Sequence, residues 1–133
     1  KPKLEELTKK LGISDKVYFT GHVAEPAKVI GVLDIFAISS DTEQMPNAVN
    51  EAMAAGLPIV GLEVGDVKHM VSDKNKAYIT SASDDDAFVN AMERLINDKQ
   101  TQNSIGQANL CHVQKYYDRE DMYKKYAEIW GIT

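Results

Sequence analysis

Four short apolar runs punctuate this chain, and each is followed by a stretch long enough to form a helix. Val17-Tyr18-Phe19-Thr20 stops at Gly21, and Asp34-Ile35-Phe36-Ala37-Ile38 opens into the polar loop Ser39 to Met45. Pro58-Ile59-Val60-Gly61-Leu62 runs toward Gly65, and Ala77-Tyr78-Ile79-Thr80 is the fourth. Strands alternating with helices predict βαβ units and a parallel sheet covered on both faces, a partial Rossmann-like α/β fold with about four strands. In such sheets ligands sit beyond the carboxyl ends of the strands. The loops after Thr20, Ile38, Leu62 and Thr80 are therefore the places to look for a site.

The helix pattern is clearest at Phe88, Ala91, Met92, Leu95 and Ile96, an i, i+3, i+4, i+7, i+8 stripe. Leu4, Leu7 and Leu11 share one face of an N-terminal helix that Gly12 stops. A brief helix is predicted around Glu25 to Val32, and another from Pro46 to Ala55, with Gly56 ending it and Pro46 suited to the first turn. A short helix should hold Val67, Met70 and Val71, and two more span roughly Thr101 to Tyr116 and Arg119 to Trp130. On the last, Met122, Tyr123, Tyr126, Ala127 and Trp130 form an apolar stripe read as core packing. Its polar face mixes Lys124 and Lys125 with Asp121 and Glu128, unlike a basic membrane-surface helix.

At 133 residues there is room for one domain. Fifteen basic against twenty acidic residues leave a net charge of −5, which excludes a fold-wide basic field for nucleic acid. A single cysteine, Cys111, excludes an internal disulfide and a multi-cysteine metal site, fits a reducing cytoplasmic setting, and reads as half-buried packing. Asp84-Asp85-Asp86 reads as an acidic helix start, with Ser83-x-x-Asp86 as a capping box, rather than as a metal site. His69 and His112 lack partners at metal-ligand spacing. Gly56, Gly61 and Gly65 are explained as helix stops and turns.

The loop after the second run carries the chemistry. Glu43 lies before the helix and Glu51 inside it, where side chains lean back toward the N-terminus. Both carboxylates can then face one crevice. Between them the first helical N–H groups, those of Asn47, Ala48 and Val49, should be unpaired and carry the positive end of the helix dipole, a phosphate site. That layout suits a ligand with hydroxyls on both sides of a phosphate group. Taken alone, the two glutamates read better as a surface loop residue and a helix-dipole residue than as a site.

The surrounding words are more specific. Val17-Tyr18-Phe19-Thr20-Gly21, Asp34-Ile35-Phe36-Ala37-Ile38-Ser39-Ser40, Glu43-x7-Glu51, Glu51-Ala52-Met53-Ala54-Ala55-Gly56-Leu57-Pro58-Ile59-Val60 and Gly65-Asp66-Val67-Lys68-His69-Met70-Val71 follow one another in order. Together they resemble the C-terminal, donor-binding domain of the GT-B glycosyltransferases of family 4 (group 1), the family of sucrose synthase and glycogen synthase. The resemblance covers nearly the whole chain, and it implies that the last helix crosses toward the N-terminal domain, with part of its apolar stripe as a domain interface. It implies that residues 1–133 are a single, partial nucleotide-sugar-binding domain, truncated on its N-terminal side. The intact enzyme would transfer a hexose from a nucleoside-diphosphate sugar with retention and without metal or other cofactor.

Placed residue by residue, the resemblance puts Glu43 at the donor sugar near its anomeric centre, as the catalytic position, and Glu51 at the ribose hydroxyls. Asn47 and Ala48 would contact phosphate, Met45 would lie in the donor loop, and Gly21, His22 and Val23 would lie beside the nucleobase. Two departures stand out. Gln44-Met45-Pro46 replaces the common Gly-Phe-Gly, so Pro46 offers no N–H. No segment matches the family's diphosphate-neutralising Arg and Lys. The expected partners are a nucleotide-sugar donor and a missing N-terminal acceptor domain, with no nucleic acid and with membrane contact only through the intact, cytoplasmic enzyme. The alternatives are a non-catalytic nucleotide- or sugar-binding module and a sugar-nucleotide epimerase of the same architecture. A signalling receiver would need an acidic cluster where Thr20-Gly21-His22 stands.

Overall fold

The computed structural model describes residues 2–132. Its elements run α1 (Pro2–Lys10), α2 (Pro26–Ile30), β1 (Phe36–Ile38), α3 (Asn47–Ala54), β2 (Ile59–Leu62) and α4 (Val67–Met70). A 3-10 turn at Lys76–Tyr78 leads into β3 (Ile79–Thr80), and α5 (Asp85–Ile96), α6 (Lys99–Tyr116) and α7 (Arg119–Trp130) complete the chain. The strands form one parallel sheet in the order β1-β2-β3, with Phe36 opposite Ile59, Ile38 opposite Gly61, and Leu62 opposite Thr80. The α/β class is the expected one.

The centre of the sheet is β2, buried along its whole length. Successive side chains of a strand point to opposite faces, and Ile59 and Val60 divide accordingly. Ile59 joins Val49, Ala52 and Met53 of α3 and Val67 and Met70 of α4 in one cluster. Val60 joins Tyr78, Ala91 and Leu95 in another. Helix α6 serves both cores, giving Ile105 to the second and Val113 to the first. Each fully buried Ile, Val, Leu or Met side chain here stabilises the fold by about 1.5–3 kcal/mol. Gly61 is a packing residue, because a methyl group there would stand 2.8 Å from Ile38 Cγ2.

A buried amide network ties the same layers together. Asn75 acts as a strand neighbour to Ile59, accepting from its N–H at 2.8 Å and donating to its C=O at 2.7 Å. Asn109 of α6 donates to Leu57 O and to Asn75 Oδ1, at 2.8 and 2.7 Å, and accepts from the Ser72 hydroxyl at 2.6 Å. Two side chains thus satisfy backbone groups that the short sheet leaves over.

Several expectations are corrected. Val17–Thr20 forms no strand, so three of the four expected strands are present. A run of β-forming residues becomes a strand only by pairing, none of its backbone groups is hydrogen-bonded within the described residues, and Tyr18 is 86% exposed. The α7 stripe is not core: no residue of α7 is buried, and Met122, Tyr123, Tyr126 and Trp130 lie in the open. Leu4, Leu7 and Leu11 are likewise exposed, as is Ile96, the last member of the α5 stripe. Cys111 is free and exposed rather than half-buried, because α6 turns Asn109 and Val113 inward instead. Among the described residues no helix is long and apolar enough to cross a membrane.

Candidate functional site

The loop between β1 and α3 and the start of α3 form the site. Pro46 is not the first helical residue but the N-cap, with extended backbone (φ −69°, ψ 119°) and no side-chain hydrogen bond to the helix. The three C-terminal helices are built differently. Asp84 accepts from Ala87 N, Asp98 from Thr101 N, and Asp118 from Glu120 N and Asp121 N. Hydrogen bonds from Thr101 accordingly hold the Asp98 carboxyl below its ordinary range. Asp84, and not Ser83, is thus the cap of α5. The acidic triplet caps and charges a helix start, as expected.

At α3 the caps give way to open donors. Of the three N–H groups expected to be free, that of Val49 bonds back to Pro46 O at 3.0 Å. Those of Asn47 and Ala48 have no acceptor among the described residues. Val49, Ala52 and Met53 bury the inner face of the helix, while Asn47 and Glu51, one turn apart, share the exposed face. The buried positions of α3 thus fix which stripe faces out, and Glu51 lies on that stripe.

Glu43 is half-buried, and its carboxylate makes no hydrogen bond or ion pair with any described residue. With Thr42, Gln44 and Met45 it lines an open cavity of about 590 Å³. What holds this loop is backbone. Asp66 N–H donates to Gln44 O at 2.8 Å, and Gly65 (φ +51°) lies so close that a Cβ would overlap Glu43 O and stand 2.6 Å from Gln44 O. Gly65, explained from sequence as a turn, is also a contact point of the site.

A second cleft, of about 610 Å³, opens between the start of α3 and the α6–α7 junction. Met45, Asn47 and Asn50 line one side, and Lys115, Tyr117, Arg119 and Lys125 the other. Met45 belongs to both cavities, which therefore adjoin. Asn50 Oδ1 is buried there without a partner. The three cations were missed because helix periodicity places them on solvent faces and says nothing of a helix folding toward α3. Burial, and then the neighbouring Asp66 carboxylate, push the Tyr117 phenol above its ordinary value. Gly21, His22 and Val23 stand apart: Gly21 and His22 are exposed, and no hydrogen bond or ion pair among the described residues links the three to Glu43 or Glu51.

Residues 1–98 match the family described as glycosyl transferases group 1. The chain belongs to that family. It is 24% identical over 94% of its length to the N-acetyl-alpha-D-glucosaminyl L-malate synthase of Bacillus anthracis, covering 33% of that protein. It is 29% identical over 84% of its length to the D-inositol 3-phosphate glycosyltransferase of Corynebacterium diphtheriae, covering 26% of it. A sucrose-phosphate synthase structure from Thermosynechococcus elongatus superposes with a TM-score of 0.83 at 22% identity, over 99% of this chain and 35% of that one. The fold is therefore that of part of a GT-B enzyme, and the chain spans between about a quarter and a third of the length of these proteins.

Proposed function

We propose that this chain is the donor-binding part of a retaining glycosyltransferase that transfers a hexose from a nucleoside-diphosphate sugar to an acceptor. Family membership supports the class. The observation that carries the site is the open start of α3, where two N–H groups lie between the Glu43 carboxylate and the exposed Glu51, the N–H groups and the Glu43 carboxylate being unpaired among the described residues. In this reading Glu43 binds the sugar hydroxyls at the reacting carbon, and Glu51 binds the ribose. The N–H groups of Asn47 and Ala48 face the phosphates and favour the charge that grows on the leaving diphosphate. Met45 closes the donor loop, and Gly21, His22 and Val23 border the base. No metal is required. The acceptor belongs to an N-terminal domain beyond these residues, so the 133-residue chain alone has no transferase activity. Its exposed, free Cys111 suits the cytoplasm.

The test is an amide NMR titration of the chain with UDP-glucose, GDP-glucose and ADP-glucose. One of them should shift Asn47, Ala48, Glu43 and Glu51, and Glu43→Gln or Glu51→Gln should weaken it by about tenfold. No response to any of the three at millimolar concentration overturns the reading.

A further inference from the structure

Glu43 presents a physical problem that its own side chain does not solve. A carboxylate that must meet a sugar hydroxyl needs a fixed place, since a displacement of about 1 Å at a reacting centre can lower a rate by about 10²-fold. Yet no described side chain holds the Glu43 carboxylate. Its position is inherited from the backbone of residues 43 and 44.

We infer that the Gly65–Asp66 turn is the positioning device for Glu43, and so sets how tightly the site discriminates a sugar nucleotide from the bare diphosphate. The inference rests on the donor reading above. Gly65 lies against the Glu43 and Gln44 carbonyls at a distance no other residue could reach, in a left-handed conformation (φ +51°) that other residues rarely adopt. Asp66 N–H then pins Gln44 O at 2.8 Å. The turn is itself anchored. Asp66 O accepts from the His69 and Met70 N–H groups at 2.8 and 2.9 Å, and Met70 is buried in the core. A rigid path thus runs from the core through α4 to the loop that carries Glu43. A methyl group on Gly65 must push that loop outward by on the order of 1 Å. Because Asn47 and Ala48 lie beyond Pro46 on α3, which Val49, Ala52 and Met53 hold in the core, the phosphate contacts are left in place.

The two halves of the donor should therefore respond differently. In the experiment, UDP-glucose, GDP-glucose and ADP-glucose are each titrated against the matching free diphosphate, using wild type, Gly65→Ala, Glu43→Gln and Gly12→Ala. Gly12 has the same left-handed backbone (φ +66°) but nothing within 4 Å of an added Cβ, so it reports strain without displacement. The expected result is that Gly65→Ala and Glu43→Gln both lower the preference for the sugar nucleotide by about tenfold, with diphosphate affinity retained, while Gly12→Ala leaves it unchanged. A folded Gly65→Ala with the wild-type preference, beside a Glu43→Gln that has lost it, overturns the inference and leaves the donor reading standing. A wild type that shows no preference overturns both. A parallel measurement needs no variant: hydrogen exchange at the Asp66 amide should slow with the sugar nucleotide and not with the diphosphate. Equal exchange with the two ligands counts against the device.

Discussion

Gly106 in the middle of α6 touches the carbonyl of Gly56, the residue that ends α3; an added Cβ would overlap Gly56 O and stand 3.0 Å from its carbonyl carbon. This contact lets α6 lie against the turn between α3 and β2, and it brings Asn109 within reach of Leu57 O. Two opposing effects meet at Gly106→Ala. Helix propensity favours alanine by about 1 kcal/mol. Forcing a methyl into backbone costs about 2 kcal/mol or more, and backbone cannot rotate away as a side chain can. The variant should therefore be less stable in urea, although the same change in an exposed helix stabilises.

Asn109→Ala removes two donors and an acceptor from a buried network. Leu57 O and the Ser72 hydroxyl lose a partner where water does not replace it. The expected loss is about 3 kcal/mol, a fall in melting temperature on the order of 10 °C. A scanning calorimetry trace unchanged within 2–3 °C, the shift of roughly 1 kcal/mol, would show that water has entered the network.

Helix α5 discriminates between two adjacent caps. Asp84 accepts the Ala87 N–H at 2.9 Å, whereas Ser83 is engaged with Ser81. Asp84→Ala should cost about 1 kcal/mol in chemical denaturation and Ser83→Ala only a few tenths.

His112 gives the fold a sensitivity to mild acid. Burial chiefly holds its imidazole below the ordinary value; Lys76 and Lys115 act in the same direction, while Asp73 and a hydrogen bond to Met70 oppose it. The unfolded chain therefore takes up the proton first, at a pH of about 6.5. Stability is complete above that pH and declines as the pH falls from there toward the lowered native value. Melting temperature should drop more between pH 7 and pH 5 in the wild type than in His112→Gln. The Asp73 and Asp98 carboxyls, held low by Lys76 and by Thr101, act in a separate and more acidic window.

What the sequence made legible was periodic or local. The alternation of apolar runs with helical stripes sufficed for the α/β class and for β1 to β3. Helix α7 was bounded at Arg119 and Trp130 from pattern alone. Contacts between distant backbones left no such trace. Gly65 and Gly106 look like any turn or helix glycine until Glu43 and Gly56 are seen against them. The Val17–Thr20 run and the α7 stripe failed for a related reason: an apolar pattern says that a surface can be covered, not that its cover is present. The cap of α5 was displaced by one residue because Ser83 and Asp84 both satisfy the rule, and only geometry chooses between them.

The bare start of α3 has a thermodynamic consequence. A helix closed by its own aspartate offers no such site; in the donor reading, the one that starts at Pro46, with two N–H groups unpaired among the described residues, is completed by the bound diphosphate. Occupancy and folding then become a single linked equilibrium. At a hundredfold excess over its dissociation constant, such a ligand adds about 2.7 kcal/mol to the stability of the chain. The gain would reach β2 through the core that Val49 and Met53 share with Ile59. On that reading, protein stored or purified with a diphosphate and without one would behave as two materials of different ruggedness, although not one covalent bond distinguishes them.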